Sequence, residues 1–220
     1  MMNNLGAVCE EIRADLEERN AARDQAIGLS RSLIRGCSAS IRAIHRHDWA
    51  KADAGLDEVA ARTRELVAAV DDFPDLYHSG YVQDALKEVV EARLTRAIIH
   101  SDALPSAKEM GVESATYLKG LAEAATELRR FILDILRRQP ARSEEAERLL
   151  QAMDDIYEQL VAFDFPDALT RGLRRQTDVV RGVLERTRGD LTQSLRQQQL
   201  GSALLQLERR LDAQTQPKST

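Results

Sequence analysis

Glu88 and Glu91 lie three residues apart, and Glu123 and Glu127 lie four apart. Carboxylates at those intervals share one face of a helix, because side chains at i, i+3 and i+4 stack on the same side. Two such helices facing each other, expected here as an antiparallel pair, would gather oxygen ligands, the type that hard divalent cations take. Asp84 and Thr95 extend the first stripe, and Asp134 extends the second. The same spacing is common on any solvated helix, so acidic faces paired with Arg and Lys are the competing reading.

A second pattern is cationic. Arg31, Arg35, Arg42 and Arg46 recur at intervals of 4, 7 and 4, with no acidic residue between the first and the last. They form one stripe, opposite Leu33, Cys37, Ile41 and Ile44. Such a row can track a phosphate backbone, each contact adding affinity and salt dependence. A solvated face paired with acidic neighbours is again the alternative. Arg171, Arg174, Arg175, Arg181, Arg186 and Arg188 add positive charge near the end of the chain.

Other chemistries drop out. His45 and His47 are two apart and point to different sides of a helix. No Ser-His-Asp order, nucleophile elbow or Walker sequence is present. Cys9 and Cys37 have neither zinc spacing nor a disulfide framework, which fits a reducing compartment, the cytoplasm. No run approaches the roughly 20 apolar residues of a membrane span, and the first residues do not read as a signal peptide.

The elements that must position these groups are helices. Only 11 glycines and 5 prolines stand among 220 residues, and aromatic residues make up 4%, which argues against sheets and glycine-rich phosphate loops. Net charge is −5, a value that can hide local patches. Apolar spacing of three and four predicts helices over about 4–46, 49–70, 77–100 and 113–138. Asp48 is placed to cap the second. Pro74 and Pro140 mark breaks, Ser143 with the following glutamates opens a fifth helix, and Phe165-Pro166-Asp167 opens a sixth. Gly189-Asp190 either begins a seventh or bends the sixth. The expectation is all-α: one domain over 1–213, an antiparallel bundle of six to seven long helices, with a frayed tail over 214–220.

Two segments resemble the translin and translin-associated factor X (TRAX) family. The stretch from Gly80 to Ala92, GYVQDALKEVVEA, is similar to a family segment ending Glu-Tyr-Val-Glu-Ala. The stretch from Tyr117 to Arg130, YLKGLAEAATELRR, is similar to the family's Tyr-Leu-Leu-Gly-Val-Ala-Asp-Leu-Thr-Gly-Glu-Leu-Met-Arg. Further support comes from 30–34, 41–46, 173–180 and 185–190, so the resemblance spans roughly 22–191 and points to the prokaryotic-type, TRAX-like members. It implies a hollow homo-oligomer of about eight subunits that holds nucleic acid inside. TRAX-type members cleave RNA with a divalent metal, and translin-type members bind without cutting.

Carried over by position, Glu88 and Glu91 match the catalytic glutamates, Glu123 the catalytic aspartate and Glu127 its neighbouring glutamate. Glu123 is one methylene longer than the family residue, and Thr126 replaces a glycine. The resemblance thus implies Mg²⁺, with Mn²⁺ as substitute, held by Glu88, Glu91 and Glu123, and Glu127 as ligand or support. It implies an endoribonuclease acting mainly on single-stranded RNA with little sequence preference. Arg31, Arg35, Arg42 and Arg46 would line the cavity. Single-stranded DNA is a further partner to consider, as is a paralogous subunit; a membrane is not expected. The alternative is a non-catalytic RNA- or DNA-binding protein.

Overall fold

A computed structural model of the chain describes residues 4–138 and 143–215, with side chains to residue 211. Every regular element among them is helical. The long helices are α1 (Leu5–His45), α2 (Trp49–Ala68), α4 (Gly80–His100), α6 (Ser114–Arg138), α7 (Ser143–Val161) and α9 (Leu173–Thr215). Single turns, α3 (Pro74–Tyr77), α5 (Ala107–Met110) and α8 (Asp167–Thr170), lie in the connections.

The chain forms two compact units, 1–124 with 165–173, and 125–164 with 174–220. In the first, α1 and α2 make an antiparallel hairpin. Its turn places His47 at φ 58°, and the Asp48 carboxylate accepts from the Lys51 amide to cap α2 as expected. Small residues draw the two helices together: a Cβ on Gly55 would stand 2.5 Å from Ser40 Oγ, and one on Gly36 would stand 3.0 Å from Val59 Cγ2. α4 packs on both helices, burying Leu33, Cys37, Leu56, Leu66, Leu86 and Val89 in one core. Arg96 of α4 donates to both oxygens of Asp53 on α2, at 2.9 and 3.3 Å.

The second unit contains the end of α6, α7 and most of α9. Leu128, Ile132, Leu149, Met153, Val180 and Leu184 are buried there. Arg129 donates to Thr187 Oγ1 at 3.1 Å and pairs with Asp190 at 2.8 Å, and Arg188 pairs with Asp154 at 2.9 Å.

Three boundaries differ from the sequence reading. The helix expected from Tyr77 is split: Pro74 starts a separate turn, and α4 begins at Gly80. The helix expected from Asp167 is interrupted, because Arg171 at φ 50° and Gly172 at φ 86° end α8 in the left-handed region. Gly189-Asp190 neither ends nor restarts a helix; α9 runs through it. One helical glycine costs only about 1 kcal/mol, which the Arg129–Asp190 pair helps offset. The break predicted at Gln139-Pro140 and the tail beyond Thr215 lie outside the described residues.

A candidate metal centre on α4 and α6

The site is built by the close approach of α6 to α4. Gly120 is the one glycine in α6, and a Cβ there would stand 2.5 Å from Val90 Cβ and 2.9 Å from the Lys87 carbonyl oxygen. Only a residue without a side chain admits α4 at this point. One turn earlier, Thr116 donates its buried hydroxyl to the Gln83 amide oxygen, and Gln83 Nε2 donates to the Tyr77 carbonyl at 2.8 Å. These contacts advance together along both helices, Gln83 with Thr116 and then Lys87 with Glu123. The first turns of α6 therefore run in the same direction as α4. Residues 101–113 carry the chain back to make this possible, and Glu113 meets His78 Nδ1 at 3.2 Å and Arg171 at 3.0 Å. The expected antiparallel facing of this one pair is corrected accordingly.

This register brings Glu88, Glu91 and Glu123 together, with one oxygen from each lying within 4.8 Å of the others. All three are half-buried. Their central neighbour is a residue the sequence reading passed over. Lys87 Nζ donates to Glu123 Oε1 at 2.6 Å and stands 3.4 Å from Glu88 Oε1. Burial alone would lower the Lys87 pKa. The hydrogen bond to Glu123, with the fields of Glu123 and Glu88, outweighs burial and holds the ammonium above its ordinary value. Cys37, buried on α1, reports the same field: desolvation, then Glu88 and Glu91, push its thiol up to about 12. Cys37 is therefore an inert core thiol.

Oxygen donors at this separation suit a hard cation. Mg²⁺–oxygen bonds are about 2.1 Å, so opposed ligands on one ion lie about 4.2 Å apart.

The grouped carboxylates are Glu88, Glu91 and Glu123 alone among the described residues. Glu127 belongs to the second unit and is not a member of this cluster. Asp84 is exposed, whereas Thr95 is fully buried. Arg31, Arg35 and Arg42 on α1 and Arg46 at its C-cap are all exposed, and no side-chain hydrogen bond or ion pair among the described residues engages them. At 100° per residue the stripe is centred about 150° around α1 from Cys37, the side that feels Glu88 and Glu91. Within one chain, the guanidinium row and the carboxylate trio occupy different faces.

Lys87 had a readable signal, since it falls about 40° from Glu91 on the helical wheel. Gly120 had one too, as a lone glycine in a long helix. Gln83 and Thr116 had none, because their bond depends on the register of two helices.

Comparison with known proteins places the chain among relatives. It is 33% identical over 178 residues to an uncharacterized protein of Methanocaldococcus jannaschii, covering 80% of this chain and 78% of that one. It superimposes on the crystal structure of AfC3PO with a TM-score of 0.78 and 34% identity over 84% of this chain and 96% of that one. The structure of AfC3PO in complex with duplex RNA matches with a TM-score of 0.77, also at 34% identity, over 84% and 95%. A more distant match, apo-NeC3PO at 22% identity and a TM-score of 0.73, covers 88% of this chain and 98% of that one and shows the shared fold. No protein-family model matches the chain.

Proposed function

The chain belongs to the translin/TRAX-like family, and from that premise we propose that it is a metal-dependent endoribonuclease working as a homo-oligomer. The observation that carries this reading is the convergence of Glu88, Glu91 and Glu123. In the proposal these three carboxylates would hold one Mg²⁺ or Mn²⁺, which would supply Lewis-acid chemistry for phosphodiester hydrolysis. Glu123 reaches the site from α6, so its longer side chain serves where the family has aspartate.

The arginine stripe binds RNA backbone in this reading. Phosphate contacts position a strand without reading its sequence, so preference is weak. Because stripe and trio lie on different faces of one chain, an oligomer lets the stripe of one copy steady RNA at the trio of another. The relative solved with duplex RNA makes duplex as well as single strands substrates to test.

One observation favours the second reading, a binding protein without catalysis. Lys87 already neutralises part of the trio, at 2.6 Å from Glu123, and an ammonium that stays in place excludes a metal. Labelled single-stranded and duplex RNA incubated with Mg²⁺ or with EDTA separates the two. Cleavage with Mg²⁺ that stops in EDTA and in Glu91→Gln, with binding retained, supports the nuclease. Binding without cleavage under every metal condition supports the binding protein.

A further inference from the structure

Both long helices overrun the core. From Leu5 to Glu18, α1 is exposed on every side, and from Ser202 to Leu211 α9 is exposed likewise. A lone helix of that length is marginal in water. Each overhang nevertheless carries an ordered apolar stripe: Leu5, Val8, Ile12 and Leu16 on one, Leu200, Leu204, Leu207 and Leu211 on the other. Their side chains are between 42% and 62% exposed. Each stripe covers an eleven-residue advance in steps of three and four, so both are about 17 Å long.

Charge selects how they are covered. The α1 arm carries Glu10, Glu11, Asp15, Glu17 and Glu18 against Arg13 and Arg19. Pairing this arm with itself would set like charges together. Beyond Gln193, the α9 arm carries Arg196, Arg209 and Arg210 against Glu208 and Asp212. Aligned in parallel from Leu5 and Leu200, Arg210 comes level with Asp15 and Glu208 with Arg13, while Arg209 falls at Ala14 and Asp212 at Glu17. The two stripes are therefore equal in length, and the arms are opposite in net charge, acidic on α1 and basic on α9.

We propose that the α1 arm of one copy docks along the α9 arm of a second copy, a heterologous contact that joins chains of this protein. It involves none of the carboxylates of the metal centre, so it stands or falls apart from the nuclease reading.

Cys9 provides the test, because it is exposed on the flank of the α1 stripe while Cys37 is buried. The Cys9→Ser/Ala203→Cys chain, co-expressed with the unaltered chain, is treated with a short bismaleimide and its cross-linked peptides are read by mass spectrometry. The expected product joins Cys9 of one chain to the introduced thiol of the other. Leu204→Glu/Leu207→Glu, and separately Ile12→Glu/Leu16→Glu, should each weaken association about tenfold or more while circular dichroism shows the rest of the fold retained. Arg209→Glu/Arg210→Glu should weaken it too, and mixing with Asp15→Arg/Glu18→Arg chains should restore it. A dominant Cys9–Cys9 product, an unaltered protein that is monomeric at micromolar concentration, or a charge reversal without rescue would overturn the proposal.

Discussion

The carboxylate trio on α4 and α6 and the arginine row on α1 carry opposite charge in opposite settings. The trio is half-buried, internally countered by Lys87, and placed by a glycine contact tight enough to admit no side chain. The row is exposed, and its guanidinium groups engage no partner among the described residues. Charges placed by packing respond to any change in packing, because interiors transmit small displacements. Solvated charges leave the fold alone and count only when a polyanion arrives. Chemistry and affinity should therefore be separable by mutation.

The sharpest separation comes from the trio. Glu91→Gln should lower RNA cleavage by about 100-fold or more, while filter-binding affinity changes by less than about threefold. Parallel losses of binding and cleavage would erase the distinction between the two regions. Gly120→Ala tests whether packing builds the site. The added methyl should cost about 1–3 kcal/mol in chemical denaturation, because the Val90 side chain and the Lys87 carbonyl must both shift. An unchanged denaturation midpoint would show that α6 reaches Lys87 by another route.

The row should behave the other way. Each of Arg31→Ala, Arg35→Ala, Arg42→Ala and Arg46→Ala should weaken RNA binding a few-fold. Each should also flatten the slope of log affinity against log salt by about 0.7–0.9, with the melting temperature unmoved. A drop in melting temperature would mean that the row is structural.

The smallest effect is on pH. Asp53 is held below the usual carboxylate range chiefly by its hydrogen bond from Arg96, with the Arg96 charge adding to it. The stabilisation is present above the ordinary carboxylate pKa and is lost as pH falls through the depressed value. Asp53 is well exposed, so the change is slight. Asp53→Asn should flatten the acid limb of a stability–pH curve without altering RNA affinity.

Helix existence was readable in the sequence, since apolar spacing and scarce glycine and proline act locally. Asp48 as a cap was readable for the same reason. Glu88, Glu91 and Glu123 were readable as ligand types through residue spacing and family resemblance. Their convergence required the register of α4 and α6, which Gly120 and the Gln83–Thr116 bond set across a long separation in sequence. Directionality failed there because residues 101–113 return the chain to the start of α4, and loop length alone does not announce that. Gly189 misled because helix propensity is weak against the contacts holding α9. Lys87 escaped because attention to carboxylates leaves out the cation lying between them.

Whether the trio binds a metal is decided by a crystal of the protein soaked in Mn²⁺. An anomalous peak is expected within about 2.3 Å of carboxylate oxygens from Glu88, Glu91 and Glu123, with the Lys87 ammonium turned away from Glu123. An unchanged Lys87–Glu123 bond with no peak at the trio, in crystals that take up Mn²⁺ elsewhere, would contradict metal binding there.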